Sequence, residues 1–256
     1  MDFSSKQNEL KEYLKSEENL KICKSFIDES EKLAEIKNEY LTKCRGIYSD
    51  FSNHVSKKEY ASDSELHRGY YCPDIISDIV IGNCHRGKLY KRLTSKTKPC
   101  FEYGFDSENR LTVVNFLGYD DHEIILYDGK STLGILFSED CDNGNIEITA
   151  VCKCLYDDKM RIKEYVLANC WSDGDLDELT VEKYSYDEVG IKSVDYFRFC
   201  YVSLDKKYPC LDYRQYTFEH NQDGYLKYYI ETDLTEPKLD DFDNVSVHEV
   251  MKKYKF

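Results

Sequence analysis

At 256 residues, with 41% hydrophobic side chains that include 23 Tyr and 12 Phe, the chain can bury a core although 33% of it is charged. That composition excludes a disordered chain, and no apolar run approaches the ~18 residues of a membrane-spanning helix. The net charge of −14 is uneven, with 33 acidic against 17 basic side chains in residues 101–256. Such a surface repels nucleic acid and anionic membrane and draws in basic partners.

The opening MDFSSKQNEL has neither a basic leader with an apolar run nor a small-residue cleavage site, so the expected location is the cytoplasm. Eleven cysteines, with no CxxC pair, then read as reduced thiols that pack as small hydrophobes. A zinc site built from Cys72, Cys84, His85 and Cys100 would want closely paired ligands, which these are not. No metal and no cofactor is expected.

From Leu20 to Val55 the apolar positions Leu20, Cys23, Phe26, Ile27, Leu33, Ile36, Tyr40, Leu41, Cys44, Ile47, Tyr48, Phe51 and Val55 recur mostly at threes and fours. This spacing predicts an amphipathic helix of about 50 Å, or a helical pair broken near Gly46 or near Asp28–Ser30. Strict heptads are not kept, so the apolar face is expected to lie on the body of the same protein. Residues 1–60 form the predicted helical region.

Beyond Ser64 the texture changes to Tyr-, Phe-, Val- and Ile-rich runs punctuated by turn residues, which predicts strands. Five segments share a frame of aromatic, Asp or Asn, spacers and branched aliphatic: FDSENRL, YDGKSTL, YDDKMRI, YDEVGIK and HNQDGYL. A weaker sixth is HRGKL from His85. The frame Asp or Asn side chain can bond nearby backbone N–H groups, and Asn109, Gly190 or Gly224 can take a left-handed conformation, so each unit predicts a hairpin turn. Frame positions 106, 128, 157, 187 and 221 are separated by 22, 29, 30 and 34 residues, which is too variable for a solenoid and suits an antiparallel meander. The predicted fold is α+β, an N-terminal helix or helical pair packed on a large twisted antiparallel sheet of residues 65–256.

Acidic runs fall between the predicted strands, at 119–121, 138–142, 172–178 and 240–243, and are expected in loops. Asp173, Asp175 and Asp177 alternate as calcium ligands do, but Gly174 sits at the second position where an EF-hand needs Gly at the sixth. There is no GxSxG, no phosphate-cradling glycine loop and no HExxH. The basic run HRGKLYKRLTSKTK, residues 85–98, could hold a phosphate; within so acidic a chain its cations are instead expected to pair with the strands that follow.

The frames YSYDEVGI and FDSENRL resemble the YD-type hairpin repeats of Rhs-like proteins, and RGKLYKRLTSKTKPCFEYGFDSENRLTVVNF, residues 86–116, is similar to cytoplasmic immunity proteins of bacterial polymorphic toxin systems. The resemblance implies a non-catalytic antitoxin whose partner is a basic toxin, such as a nuclease domain. Carboxylates held where a toxin expects phosphates would supply the contact, and Asp120, Asp121, Asp140, Asp142, Asp173, Asp175 and Asp177 are the candidate partner-binding residues. An enzyme with an unrecognised site and a helix-mediated adaptor remain the alternatives.

Overall fold

Among the residues described in the computed structural model, 3–62, 76, 88–139, 144–170, 176–201, 208–235 and 245–250, three helices precede twelve strands. The helices are α1 (Phe3–Leu14), α2 (Glu17–Tyr40) and α3 (Cys44–Asn53). Ser16 starts α2, its hydroxyl accepting the Asn19 N–H at 3.1 Å, and Glu17 and Glu18 complement the positive end of the helix dipole. Asn19, Cys23, Ser30, Leu33 and Lys37 form its buried stripe.

The expected break is displaced. Gly46 and Asp28–Ser30 both lie inside helices, and the chain bends at residues 41–43, where the Lys43 N–H donates to the Tyr40 carbonyl at 2.9 Å. A methyl group at Gly46 would meet nothing within 4 Å. Gly46→Ala should therefore stabilise α3 by about 0.5–1 kcal/mol, read as a rise in the urea midpoint at unchanged m-value.

The strands are β1 (Lys57–Ala61), β2 (Phe101–Phe105), β3 (Leu111–Phe116), β4 (Asp121–Asp128), β5 (Ser131–Glu139), β6 (Ile146–Tyr156), β7 (Ile162–Cys170), β8 (Leu176–Tyr186), β9 (Ile191–Tyr201), β10 (Pro209–His220), β11 (Leu226–Asp233) and β12 (Val245–Glu249). They pair antiparallel in sequence order, as one meander. The expected α+β architecture is what the chain forms. β1 already belongs to the sheet, so the helical region ends at Asn53, short of residue 60.

Both sheet faces are buried. On one, Ile124, Ile135, Phe137, Ile148, Val151, Val166, Leu179, Val181 and Phe199 pack with Cys23, Leu33 and Cys44 of the helices. On the other, Tyr103, Val114, Ile125, Cys152, Cys154, Tyr165, Tyr184, Val194, Tyr216 and Tyr229 form a second cluster, which Ile76 joins. This double burial accounts for strands that read as nearly continuous apolar and aromatic runs.

The repeated frames are turns of one construction. At Phe105, Tyr156, Tyr186 and His220 the strand register shifts, and the next residue, Asp106, Asp157, Asp187 or Asn221, folds its side chain back onto the loop. Asp106 Oδ1 accepts from the Glu108 and Arg110 N–H groups, both at 2.9 Å, while its Oδ2 accepts from Arg110 Nε. Asp157 repeats this with Lys159 and Arg161, and Asn221 repeats the backbone part with Asp223 and Tyr225. Asn109, Met160 and Gly224 take positive φ values of 59°, 58° and 77°. The aliphatic residue closing each of these four frames, Leu111, Ile162, Ile191 or Leu226, is buried in the second cluster. YDGKSTL differs: Asp128 ends β4 opposite Ser131, and the turn is Gly129–Lys130, with Gly129 at φ 56°. The HRGKL frame begins outside the described residues.

Tyrosines tie neighbouring turns together. Tyr127 donates to the Leu111 carbonyl at 2.9 Å beneath the Arg110 guanidinium, and Tyr186 donates to the Ile162 carbonyl at 2.7 Å beneath Arg161. Burial pushes both phenols up to about 12.

These turns set an acid limit on stability. Hydrogen bonds from backbone amides and arginine hold Asp106 and Asp157 below the ordinary value of 3.8, outweighing burial, and amides of Gly190 and Val189 do so for Asp187. A depressed carboxyl stabilises the fold above its unfolded-state value and loses that contribution as pH falls toward its folded-state value. Burial also lowers His122 and His220 from 6.5, which gives the same sign at higher pH. Stability should thus decline gently below about pH 6.5 and steeply below about pH 4. The Asp106→Asn/Asp157→Asn variant keeps the acceptor that Asn221 uses naturally, so its melting temperature should vary less between pH 5 and pH 2.5 than that of the unaltered chain.

Candidate functional site

A strictly sequential antiparallel meander sorts its connections onto two rims. The turns after β2, β4, β6, β8 and β10 share one rim, and the connections after β1, β3, β5, β7, β9 and β11 share the other. All five frame turns fall on the first. By sequence, the connections after β3, β5, β7, β9 and β11, which join strand ends on the second rim, carry ten acidic and three basic side chains, of which Asp120 lies among the described residues. The turn rim carries seven acidic and four basic side chains, and Asp106, Asp157 and Asp158 there are paired with Arg110, Arg161 and Lys130.

Of the candidate partner-binding residues, Asp120 sits exposed on the β3–β4 turn, and its carbonyl accepts the Glu139 N–H at 2.9 Å. Two others are corrected. Asp121 opens β4, half-buried and bonded by the Ser138 hydroxyl, and Asp177 is the second residue of β8; neither stands in a loop. Both occupy strand ends because the flanking apolar alternation extends the pairing past the polar run. Asp140, Asp142, Asp173 and Asp175 lie outside the described residues, but the strand ends that bracket them, Glu139 with Ile146 and Cys170 with Leu176, are on this rim. The structure therefore joins Asp120, Asp121 and Glu139 from two separate runs. Tyr119, 75% exposed, projects beside them.

Not every acid here is free. Arg45, in the first turn of α3, donates to Glu139 at 2.8 Å and to the Gly144 carbonyl, and a cleft of about 540 Å³ opens between Leu41, Thr42, Arg45 and Gly144–Ile146. Arg198 similarly holds Glu178 at 2.6 Å.

Behind the β3–β4 turn lies a polar strut that sequence reasoning missed. Glu102 accepts from Lys58 at 2.8 Å, from Asn115 at 3.0 Å and from the Tyr60 hydroxyl at 2.7 Å. Asn115 Oδ1 in turn meets the Tyr48 hydroxyl and His122 Nδ1, both at 2.9 Å. Burial alone would raise the Glu102 carboxyl, but the three donors outweigh it and hold it below the ordinary range. Burial lowers His122, outweighing nearby Glu139, Asp120 and Asp121, and its ring packs 4.4 Å from Tyr48 and 5.6 Å from Phe137. With its carboxylate saturated, this network acts as a brace that fixes α3 against β2–β4 and so positions the acidic turn. Its members stand at 48, 58, 60, 102, 115 and 122, too scattered for spacing to reveal.

The basic run behaves differently from its expectation. Lys88, Lys91, Arg92, Lys96 and Lys98 are exposed and form no ion pair among the described residues, so they do not neutralise the acidic strands. Leu89 and Leu93 beside them are 40% and 46% exposed, and Leu89 bridges Ala61 at the acidic-rim end of β1. That rim is thus positive near β1 and negative from β3 onward. Lys91→Gln/Arg92→Gln should change unfolding free energy by less than about 0.5 kcal/mol in urea melts.

Cys72, Cys84 and His85 lie outside the described residues, whereas Cys100 is exposed. Among the described residues no group of three or more His, Cys, Asp or Glu side chains is placed to hold a metal ion. No described helix is long and apolar enough to cross a membrane. The chain matches no protein-family model and no curated protein.

Proposed function

We propose that the protein is a non-catalytic immunity protein that binds and neutralises a basic toxin, such as a nuclease domain, through its acidic rim. The observation that carries this reading is the alternation of connections along one sheet: by sequence those after β3, β5, β7, β9 and β11 hold ten acidic side chains against three basic, while Asp106, Asp157 and Asp158 on the opposite rim are paired with cations. A twelve-strand sheet buried on both faces is a stiff support for the strand ends that carry Asp120, Asp121 and Glu139. Clustered carboxylates speed the encounter with a cation-rich surface, while an exposed aromatic such as Tyr119 lengthens the residence time.

The test is to sequence the locus around the gene for a basic toxin domain, to co-express that domain with this chain, and to purify through a tag on this chain alone; a locus without such a domain counts against the reading. Survival of the host and a stable complex are expected. Unrelieved toxicity, or cleavage of nucleic acid by this protein alone, would overturn the reading.

A further inference from the structure

Cys200 and Cys210 face each other across β9 and β10, in direct register, with their Sγ atoms 3.2 Å apart. Directly opposed residues of an antiparallel pair have Cα atoms about 4.5–5.5 Å apart, within the range a disulfide spans. Both residues are partly buried, whereas Cys23, Cys44 and Cys154 are fully buried and out of a solute's reach. We infer that Cys200 and Cys210 form a redox-active thiol pair, converted to an intramolecular disulfide by exchange with a small-molecule disulfide such as glutathione disulfide.

The environment divides the two roles. A hydrogen bond shared with Cys210, helped by the Arg198 guanidinium against burial and Glu178, brings the Cys200 thiol down to about 7, while that same contact and burial push Cys210 up. Arg198, two residues along β9 and so on the same face, favours Cys200 as the attacking thiolate, with Cys210 as the resolving thiol. Cys200 Sγ attacks one sulfur of glutathione disulfide, forming a mixed disulfide and expelling one glutathione thiolate, which takes up a proton. Cys210, losing its proton, then attacks Cys200 Sγ, forming the protein disulfide and expelling the second glutathione. Two electrons pass from the protein thiols to glutathione disulfide, and two glutathione thiols leave.

The bond would staple the ends of β9 and β10 at the acidic rim, closing residues 201–209 into a ring. A reducing compartment opens it and an oxidising one closes it, so the connection beside the negative surface acquires two covalent states.

Full-length protein is incubated with glutathione disulfide, alkylated and digested with trypsin, which cuts after Arg198, Lys206, Lys207 and Arg214. Peptides 199–206 and 208–214 should emerge joined, lighter by two hydrogens than the separate thiols, and should part on reduction. Cys210→Ser lacks the resolving thiol, and its Cys200 should accumulate as the glutathione adduct at least tenfold over the unaltered chain. The unaltered map needs no variant to fold. A Cys200 that stays reduced, stays capped with Cys210 present, or pairs elsewhere would overturn the inference, as would a folded Cys210→Ser protein without the adduct.

Discussion

Phe199→Ala should lower the stability of the whole protein by about 3–5 kcal/mol, a fall in melting temperature of roughly 10 °C for a chain of this size. Phe199 is 1% exposed on the helix-facing side of β9, where its ring stacks on Phe26 of α2 at 5.9 Å. Phe26 also leans on Phe197 at 5.5 Å, and Phe197 stacks on Tyr213 of β10 at 4.4 Å. Removing one ring therefore opens a cavity under α2 and loosens an aromatic column three elements deep. At 24 residues, with one buried stripe, α2 owes its persistence to this seat more than to its own propensity. Thermal melts and urea titrations of the same variant provide the check. A loss below about 1 kcal/mol would mean that α2 does not rest on β9.

The physics of the turns explains why so much of the sheet was legible. An Asp or Asn that caps its own loop is a local event, so FDSENRL, YDDKMRI and HNQDGYL declare hairpins without reference to the rest of the chain. Each interval between frames spans two strands, and the acidic runs in the middle of those intervals are necessarily on the far rim. Helix boundaries were less legible. Tyr40, Leu41 and Cys44 continue the apolar periodicity through the bend at residues 41–43, where no Gly or Pro marks the stop. α1 falls within the helical region expected over residues 1–60 but outside the Leu20–Val55 periodicity, because its segment FSSKQNELKEYL offers few apolar residues, of which Leu14 is buried.

The site divides along the same line between local and tertiary causes. Acidity in loops is a compositional signal, visible residue by residue. That Asp121 and Asp177 would be drawn into strand ends depends on how far pairing extends, which the partner strand decides. The brace from Lys58 through Glu102 and Asn115 to His122 exists only after β1 to β4 are aligned, so no spacing rule could announce it. The Lys88–Lys98 cations, which form no ion pair among the described residues, illustrate the converse error. Opposite charges in one sequence were expected to meet, yet exposed ion pairs gain too little to direct a chain.

Neutralising the acidic rim should slow capture of the proposed basic partner far more than it disturbs the fold. Replacing Asp120, Asp121, Asp140, Asp142, Asp173, Asp175 and Asp177 with Asn removes seven negative charges while keeping side-chain size. Steering by such a field raises association rates from about 10⁵–10⁶ M⁻¹s⁻¹ toward 10⁸ M⁻¹s⁻¹ at low salt, so a loss near 100-fold in the on-rate is expected. At high salt the Debye length shrinks to a few ångströms, about 3 Å at 1 M, and the variant and the unaltered protein should converge. Tyr119→Ala should act on the other rate, speeding dissociation with little salt dependence, because an exposed ring contributes by burial in the complex. Stopped-flow association at several salt concentrations separates the two. Melting temperature is the control, since Asp120 and Tyr119 are exposed and contribute little to the core. An on-rate that ignores both the seven substitutions and the salt would place the contact elsewhere, with the exposed cations and leucines near β1 as the next surface to alter.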